Sequence, residues 1–244
     1  MSLPRAFVPF RPTSAIAAGF ACMLAAGCGG GADFMTTVGP VAAGSSNSTA
    51  LAGTVAVGAP ITNGKLRILD ANGVVIAQDV AIDADGHYTG VTLTGPAPYR
   101  LEACGYAGPN FLCVYSVANE GGTANVTPLT SAMVLLATGA SPDAMMLPDA
   151  PAVSASGVSS AQDQLRTSLS GVLSSAGVSN TLDFVSGALS AGSRSGYDGV
   201  LDAVGVSVGQ DTQAFVQITP RLGSGNLYLQ QGSTVGTVTA ANTS

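Results

Sequence analysis

Cysteine carries most of the chemistry this chain can offer, and four are present, at positions 22, 28, 104 and 113. Cys28 follows Leu24-Ala25-Ala26-Gly27 and precedes Gly29-Gly30-Gly31, so its thiol is a nucleophile among side chains small enough to enter a narrow peptidase pocket. Cys104 and Cys113 form a second pair. They are either a disulfide, if the compartment is oxidising, or two free thiols in a core. Closing a loop of about ten residues would remove about 2–3 kcal/mol of unfolded-state entropy.

The other reactive types are scarce. His87 is the only imidazole, and Gly192-Ser193-Arg194-Ser195-Gly196 places arginine where a nucleophile elbow needs serine. His87 therefore reads as a solvent-facing strand residue. No histidine lies at ligand spacing from Cys104 or Cys113, so no zinc site is expected. Asp70-Ala71-Asn72-Gly73 and Asp83-Ala84-Asp85-Gly86 offer oxygens at alternate positions, as calcium loops do, but neither is followed by a late bidentate glutamate. Both are read as turns. The only glutamates are Glu102 and Glu120, and Glu102 alternates with Arg100 on one strand face, which points to an ion pair rather than a hydrolytic pair. No Gly-x-x-x-x-Gly-Lys loop is present. The expectation is a protein that is not an enzyme and holds no cofactor or metal.

Composition narrows the class further. Of 244 residues 46% are apolar and 9% charged, with a formal net charge of −6 and a single lysine, Lys65. That balance lacks the basic stripe a nucleic-acid partner requires.

Arg5 and Arg11 precede an uncharged stretch from Ser14 to Ala26, too short for a bilayer span and right for the apolar part of an export signal. With Leu24-Ala25-Ala26-Gly27-Cys28 it resembles the lipobox of bacterial lipoproteins, although Leu24 lies one place further from Cys28 than in the commonest pattern and Ala25 takes the preferred leucine position. The rival reading is an ordinary secretory signal cut after an Ala-x-Ala-like site, leaving Cys28 a spare thiol. The lipoprotein resemblance implies that 1–27 is removed and that Cys28 becomes the acylated first residue. Several acyl chains together anchor a protein durably. Gly29, in place of the aspartate that holds many lipoproteins at the inner membrane, implies the outer membrane, on its periplasmic or surface face. Residues 28–49, rich in Gly, Ser, Thr and Ala, read as a flexible tether of about 25 Å typical reach.

From residue 50 to 127 apolar residues alternate. Leu66 and Ile68 face one way and Lys65 and Arg67 the other, while Asn72-Gly73 and Asp85-Gly86 predict hairpin turns into Val74–Ala81 and His87–Thr94. Strands are also expected over Pro98–Ala103, Phe111–Ala118 and Thr123–Thr127, making an antiparallel sandwich of the Ig-like kind. Gly53, Ala59-Pro60-Ile61, Gly64, Leu66, Asp70, Gly73, Asp85-Gly86-x-Tyr88, Pro98-Tyr99, Leu101 and Gly105-Tyr106 fall in an order that resembles carboxypeptidase regulatory-like domains. The resemblance implies a prealbumin-like sandwich and little about activity. One departure is Gly95-Pro96-Ala97-Pro98, where that family has a simple Pro-Gly turn.

Residues 128–205 turn helical. Leu129, Met133, Leu136 and Ala137 suit one face ended by Gly139, Ser160-Ala161-Gln162-Asp163 resembles a capping box, Thr181 would cap a helix through Leu189, and Ser195 a short one holding Tyr197 to Val204. Residues 206–244 read as a β tail with one small hairpin, Ala214–Thr219 with Asn226–Gln231. The whole is an α+β chain. The function expected is a non-catalytic, outer-membrane-anchored lipoprotein that binds or scaffolds an envelope protein or glycan. The alternative is a solute- or glycan-binding lipoprotein with a site between sheet and helices, lined by tyrosines such as Tyr99, Tyr106, Tyr115, Tyr197 or Tyr228.

Overall fold

The computed structural model describes residues 49–240. Cys28, the leader 1–27 and all but the last residue of the tether 28–49 lie outside the described residues.

Alternating side chains make two sheets. β2 (Thr62–Leu69), β3 (Val75–Ala81), β5 (Tyr99–Ala107) and β6 (Asn110–Ala118) form an antiparallel sheet in the order β3-β2-β5-β6. β1 (Ala50–Thr54) lies between β4 (His87–Thr92), antiparallel to it, and β7 (Gly122–Thr123), parallel to it. Leu66, Ile68, Leu101, Ala103 and Val114 of the larger sheet share one buried core with Leu51, Tyr88 and Val91 of the smaller. Gly53 is needed where the strand after β7 crosses β1, because a Cβ there would sit 2.1 Å from the Ala124 carbonyl oxygen.

The Asn72-Gly73 turn joins paired strands as expected, with Asp70 Oδ1 accepting the N–H groups of Asn72 and Val74 at 2.9 Å each. The Asp85-Gly86 turn does not make a hairpin. Asp83 Oδ1 accepts from the N–H groups of Asp85 and His87, and the Gly86 carbonyl accepts from Val55 N–H. The turn thus passes the chain from the larger sheet to the smaller, where Tyr88 and Val91 can face the core.

Thr127 caps α1 (Pro128–Thr138): its hydroxyl accepts from Thr130 N–H, and the Thr130 hydroxyl accepts from Thr127 N–H. Gly139, at φ 70°, ends the helix in the left-handed conformation that glycine tolerates best. Every residue from Leu129 to Ala137 is buried. After a 3-10 turn (Pro142–Met146) come α2 (Ala155–Ser168), α3 (Ser170–Ser175) and α4 (Gly196–Ala203).

Two helix expectations are corrected. The N-cap of α2 is Ser154, not Ser160, because Ser154 Oγ accepts from Gly157 N–H at 3.0 Å and Val158 extends the buried stripe toward the N-terminus. No helix runs from Thr181 to Leu189. There Asp183 Oδ1 takes the N–H groups of Val185 and Ser186, and the carbonyls of Val185, Gly187 and Leu189 point to Asn125 and Thr54 on the sandwich rather than along a helix.

The tail is larger than one hairpin. β8 (Val204–Gln210), β9 (Ala214–Pro220), β11 (Leu227–Gln230) and β12 (Ser233–Gly236) form a further four-stranded antiparallel sheet in the order β12-β11-β9-β8, while β10 (Gly223–Ser224) pairs with β13 (Thr239–Ala240). The expected hairpin is its β9–β11 pair, and the sheet begins at Val204, inside the stretch read as helical. Val216, Ile218, Leu227 and Leu229 close over α1, α2 and α3 in one core that also takes Leu69 and Val117 from the sandwich.

Candidate functional site

The outward face of the larger sandwich sheet is a polar ladder set by strand register. Arg67 on β2 stands opposite Glu102 on β5, which stands opposite Tyr115 on β6. The Arg67 guanidinium lies 3.0 Å from the Glu102 carboxylate. The partner of Glu102 is thus the cross-strand arginine, not Arg100 of its own strand. Arg100 is buried and donates to the carbonyls of Met145 and Ala71. Burial, with the negative charge of Glu102 and Asp143 added, pushes the Tyr115 phenol up to about 12.

One step along the same face Cys104 and Cys113 are directly opposed, with Cα atoms 4.1 Å apart and their sulfurs joined. Replacing both by serine is expected to cost about 2–3 kcal/mol of stability. Urea unfolding of the double variant against the native chain, each with and without reductant, checks this: reductant should lower the native midpoint and leave the variant's unchanged.

The outer edge of β6 forms one wall of a groove of about 980 Å³. Leu112 to Tyr115 of β6 line that wall, Val204 to Val206 and Val208 of β8 the other, and Ser131 of α1 and Leu201 of α4 lie between. Its charged lining is Asp143 and Asp202 against Arg221. Burial, and the like charge of Asp198 one turn earlier, hold the Asp202 carboxyl above the usual carboxylate range. Of the five tyrosines considered for a solute site, only Tyr115 lines the groove. Tyr99 and Tyr197 are buried in the cores, and Tyr106 and Tyr228 are exposed outside it.

The reactive types are tied into structure. His87 Nδ1 lies 3.0 Å from Thr54 Oγ1, which donates to the Leu189 carbonyl. Asp198 is wholly buried, one oxygen taking Arg194 N–H. Asp70 and Asp83 each spend one carboxylate oxygen, Oδ1, on a turn. Glu102, Cys104 and Cys113 lie close enough to share an ion, yet the sulfurs are bonded to each other and Glu102 to Arg67. A smaller hollow of about 340 Å³ beside Asp183 and Gln162 is lined by atoms that hold the 183–186 turn. Among the described residues no helix is long and apolar enough to cross a membrane.

Sequence reasoning found Tyr115, Glu102 and the cysteine pair but not the groove, whose far wall is a strand read as part of a tail. No family model matches the chain, and no curated protein or solved structure matches it.

Proposed function

We propose that this chain is a non-catalytic binding module of the bacterial outer membrane, anchored by lipid on Cys28 and presenting the groove between the sandwich and the C-terminal sheet. The observation that carries the anchor is Leu24-Ala25-Ala26-Gly27-Cys28 at the end of an uncharged stretch behind two arginines. The two-sheet arrangement and the order of turn glycines and core residues support a prealbumin-like sandwich of the carboxypeptidase regulatory-like kind. The groove supports binding: it is of ligand size, and Glu102 and the two cysteines beside it are engaged in an ion pair and a disulfide. The position of the groove also favours the solute- or glycan-binding reading, which its single tyrosine weakens.

Labelling with radioactive palmitate tests the anchor. The native chain is expected to take up label and to fractionate with the outer membrane, and Cys28→Ala to take up none. An unlabelled native chain with its leader still attached would overturn the proposal.

A further inference from the structure

We infer that the groove receives an extended, basic polypeptide segment of another protein, its backbone paired to the uncovered edge of β8 and its cations set against Asp202 and Asp143. The inference rests on the binding-module reading and names the class of ligand.

The first support is the strand edge. β8 keeps unbroken register with β9 over seven residues, from Val204 opposite Pro220 to Gln210 opposite Ala214, and is the last strand of its sheet; Arg221 Nε donates to the Val204 carbonyl at its start, and among the described residues no side chain bonds the main-chain groups of Val206 and Val208. A long, regular, uncovered edge is a template for a further strand unless something spoils it. The other outer edges are spoiled or short, β4 by its register shift against β1 and by Gly90 at φ 73°. β3 pairs with β2 through two register shifts, carries Asp79 at φ 58°, and has Lys65 Nζ donating to the Asp79 carbonyl. β12 is only four residues long.

Across the groove, β6 is likewise the outer strand of its sheet. At Tyr115 its edge is sealed by α1: Tyr115 N–H donates to Ser131 Oγ at 2.8 Å, and the Tyr115 carbonyl accepts from Thr130 Oγ1 at 2.7 Å. Alternation turns the main-chain groups of Cys113 the same way, and among the described residues no side chain seals them.

The second support is charge. Two carboxylates against one guanidinium leave the groove with a negative surplus. Asp202 stands between Asp198, whose Oδ1 is buried without a partner, and the guanidinium groups of Arg194 and Arg221, and of these cations only Arg221 lines the groove. The chain's own residues 29–48 contain Asp33 and no lysine or arginine, and a second copy, with its net charge of −6, would add to the surplus. A glycan would find one tyrosine where such sites use aromatic platforms.

The test uses the purified full chain in detergent micelles and three fluorescent ten-residue peptides: alternating valine-lysine, alternating valine-glutamate, and valine-lysine N-methylated at alternate amides. Anisotropy is expected to show saturable binding of the first, with the other two weaker by about tenfold or more, the factor that corresponds to about 1.4 kcal/mol. Asp202→Asn should weaken the basic peptide several-fold, and exposed Asp143→Asn serves as the second variant if the first does not fold. Equal affinity for all three peptides, no peptide binding, occupancy by a chito-oligosaccharide alone, or a dimer in sedimentation that excludes the peptide would each overturn the inference. Failure here with palmitate incorporation intact removes the peptide and leaves the anchored module; binding without palmitate removes the anchor and leaves the peptide.

Discussion

Phe184→Ala is expected to destabilise the folded chain by about 3–5 kcal/mol, as is usual when a large buried aromatic is cut to a methyl group. Phe184 is fully buried although it lies on a segment without regular structure. Its ring packs 5.8 Å from that of Tyr197, its N–H donates to Gln162 Oε1, and its carbonyl accepts from the Tyr197 hydroxyl. The Tyr197 oxygen also lies 3.0 Å from Thr127 Oγ1, which caps α1. Neighbours fixed by hydrogen bonds cannot collapse into the space left behind, so the cost should fall in the upper part of that range. Urea unfolding followed by circular dichroism reads it. A loss below about 1 kcal/mol would mean that the segment is not seated as described.

The second large effect is expected at Asn125. Its Oδ1 accepts from Thr54 N–H at 3.2 Å, its Nδ2 donates to the Gly187 carbonyl at 2.7 Å, and its own N–H donates to the Val185 carbonyl at 2.7 Å. Asn125→Ala keeps the last bond and leaves the Thr54 N–H and the Gly187 carbonyl without partners, at about 1–3 kcal/mol each. The expected loss is about 2–6 kcal/mol, with faster hydrogen exchange at the Thr54 amide. Phe184 and Asn125 hold the same stretch, so the double variant should lose less than the sum of the two. Strict additivity would show that plug and clamp act separately.

That stretch is also where sequence and structure part. Alternation at Leu66, Ile68 and Leu101, the Asn72-Gly73 turn, and Gly139 as a helix stop were legible because each is decided by neighbours a few residues away. Thr181 to Leu189 was not. Its apolar residues fit a helical stripe, but its carbonyls are claimed by Asn125 and Thr54, which lie more than 50 residues earlier in the chain. Asp85-Gly86 misled for a related reason: the turn forms as its residues require, yet whether it pairs the flanking strands depends on which sheet has room beside β1. Cys104 and Cys113 could be singled out because oxidation needs only proximity, and one tight turn supplies it. The groove could not, because its two walls belong to strands about 90 residues apart and no local pattern records that they face each other. Arg67 as the partner of Glu102 is the same case in small: period two places Glu102 on a face, and only strand register says who stands beside it.

The burial of α1 on all sides sets an order on how the chain can mature. Residues 128–138 leave the ribosome well before the strands that roof them, which begin at Val204. Until then a greasy helix has a sandwich on one flank and nothing on the other. A nascent polypeptide thus displays a sticky surface until the stretch from Val216 to Leu229 has been made, the situation in which incompletely folded chains aggregate.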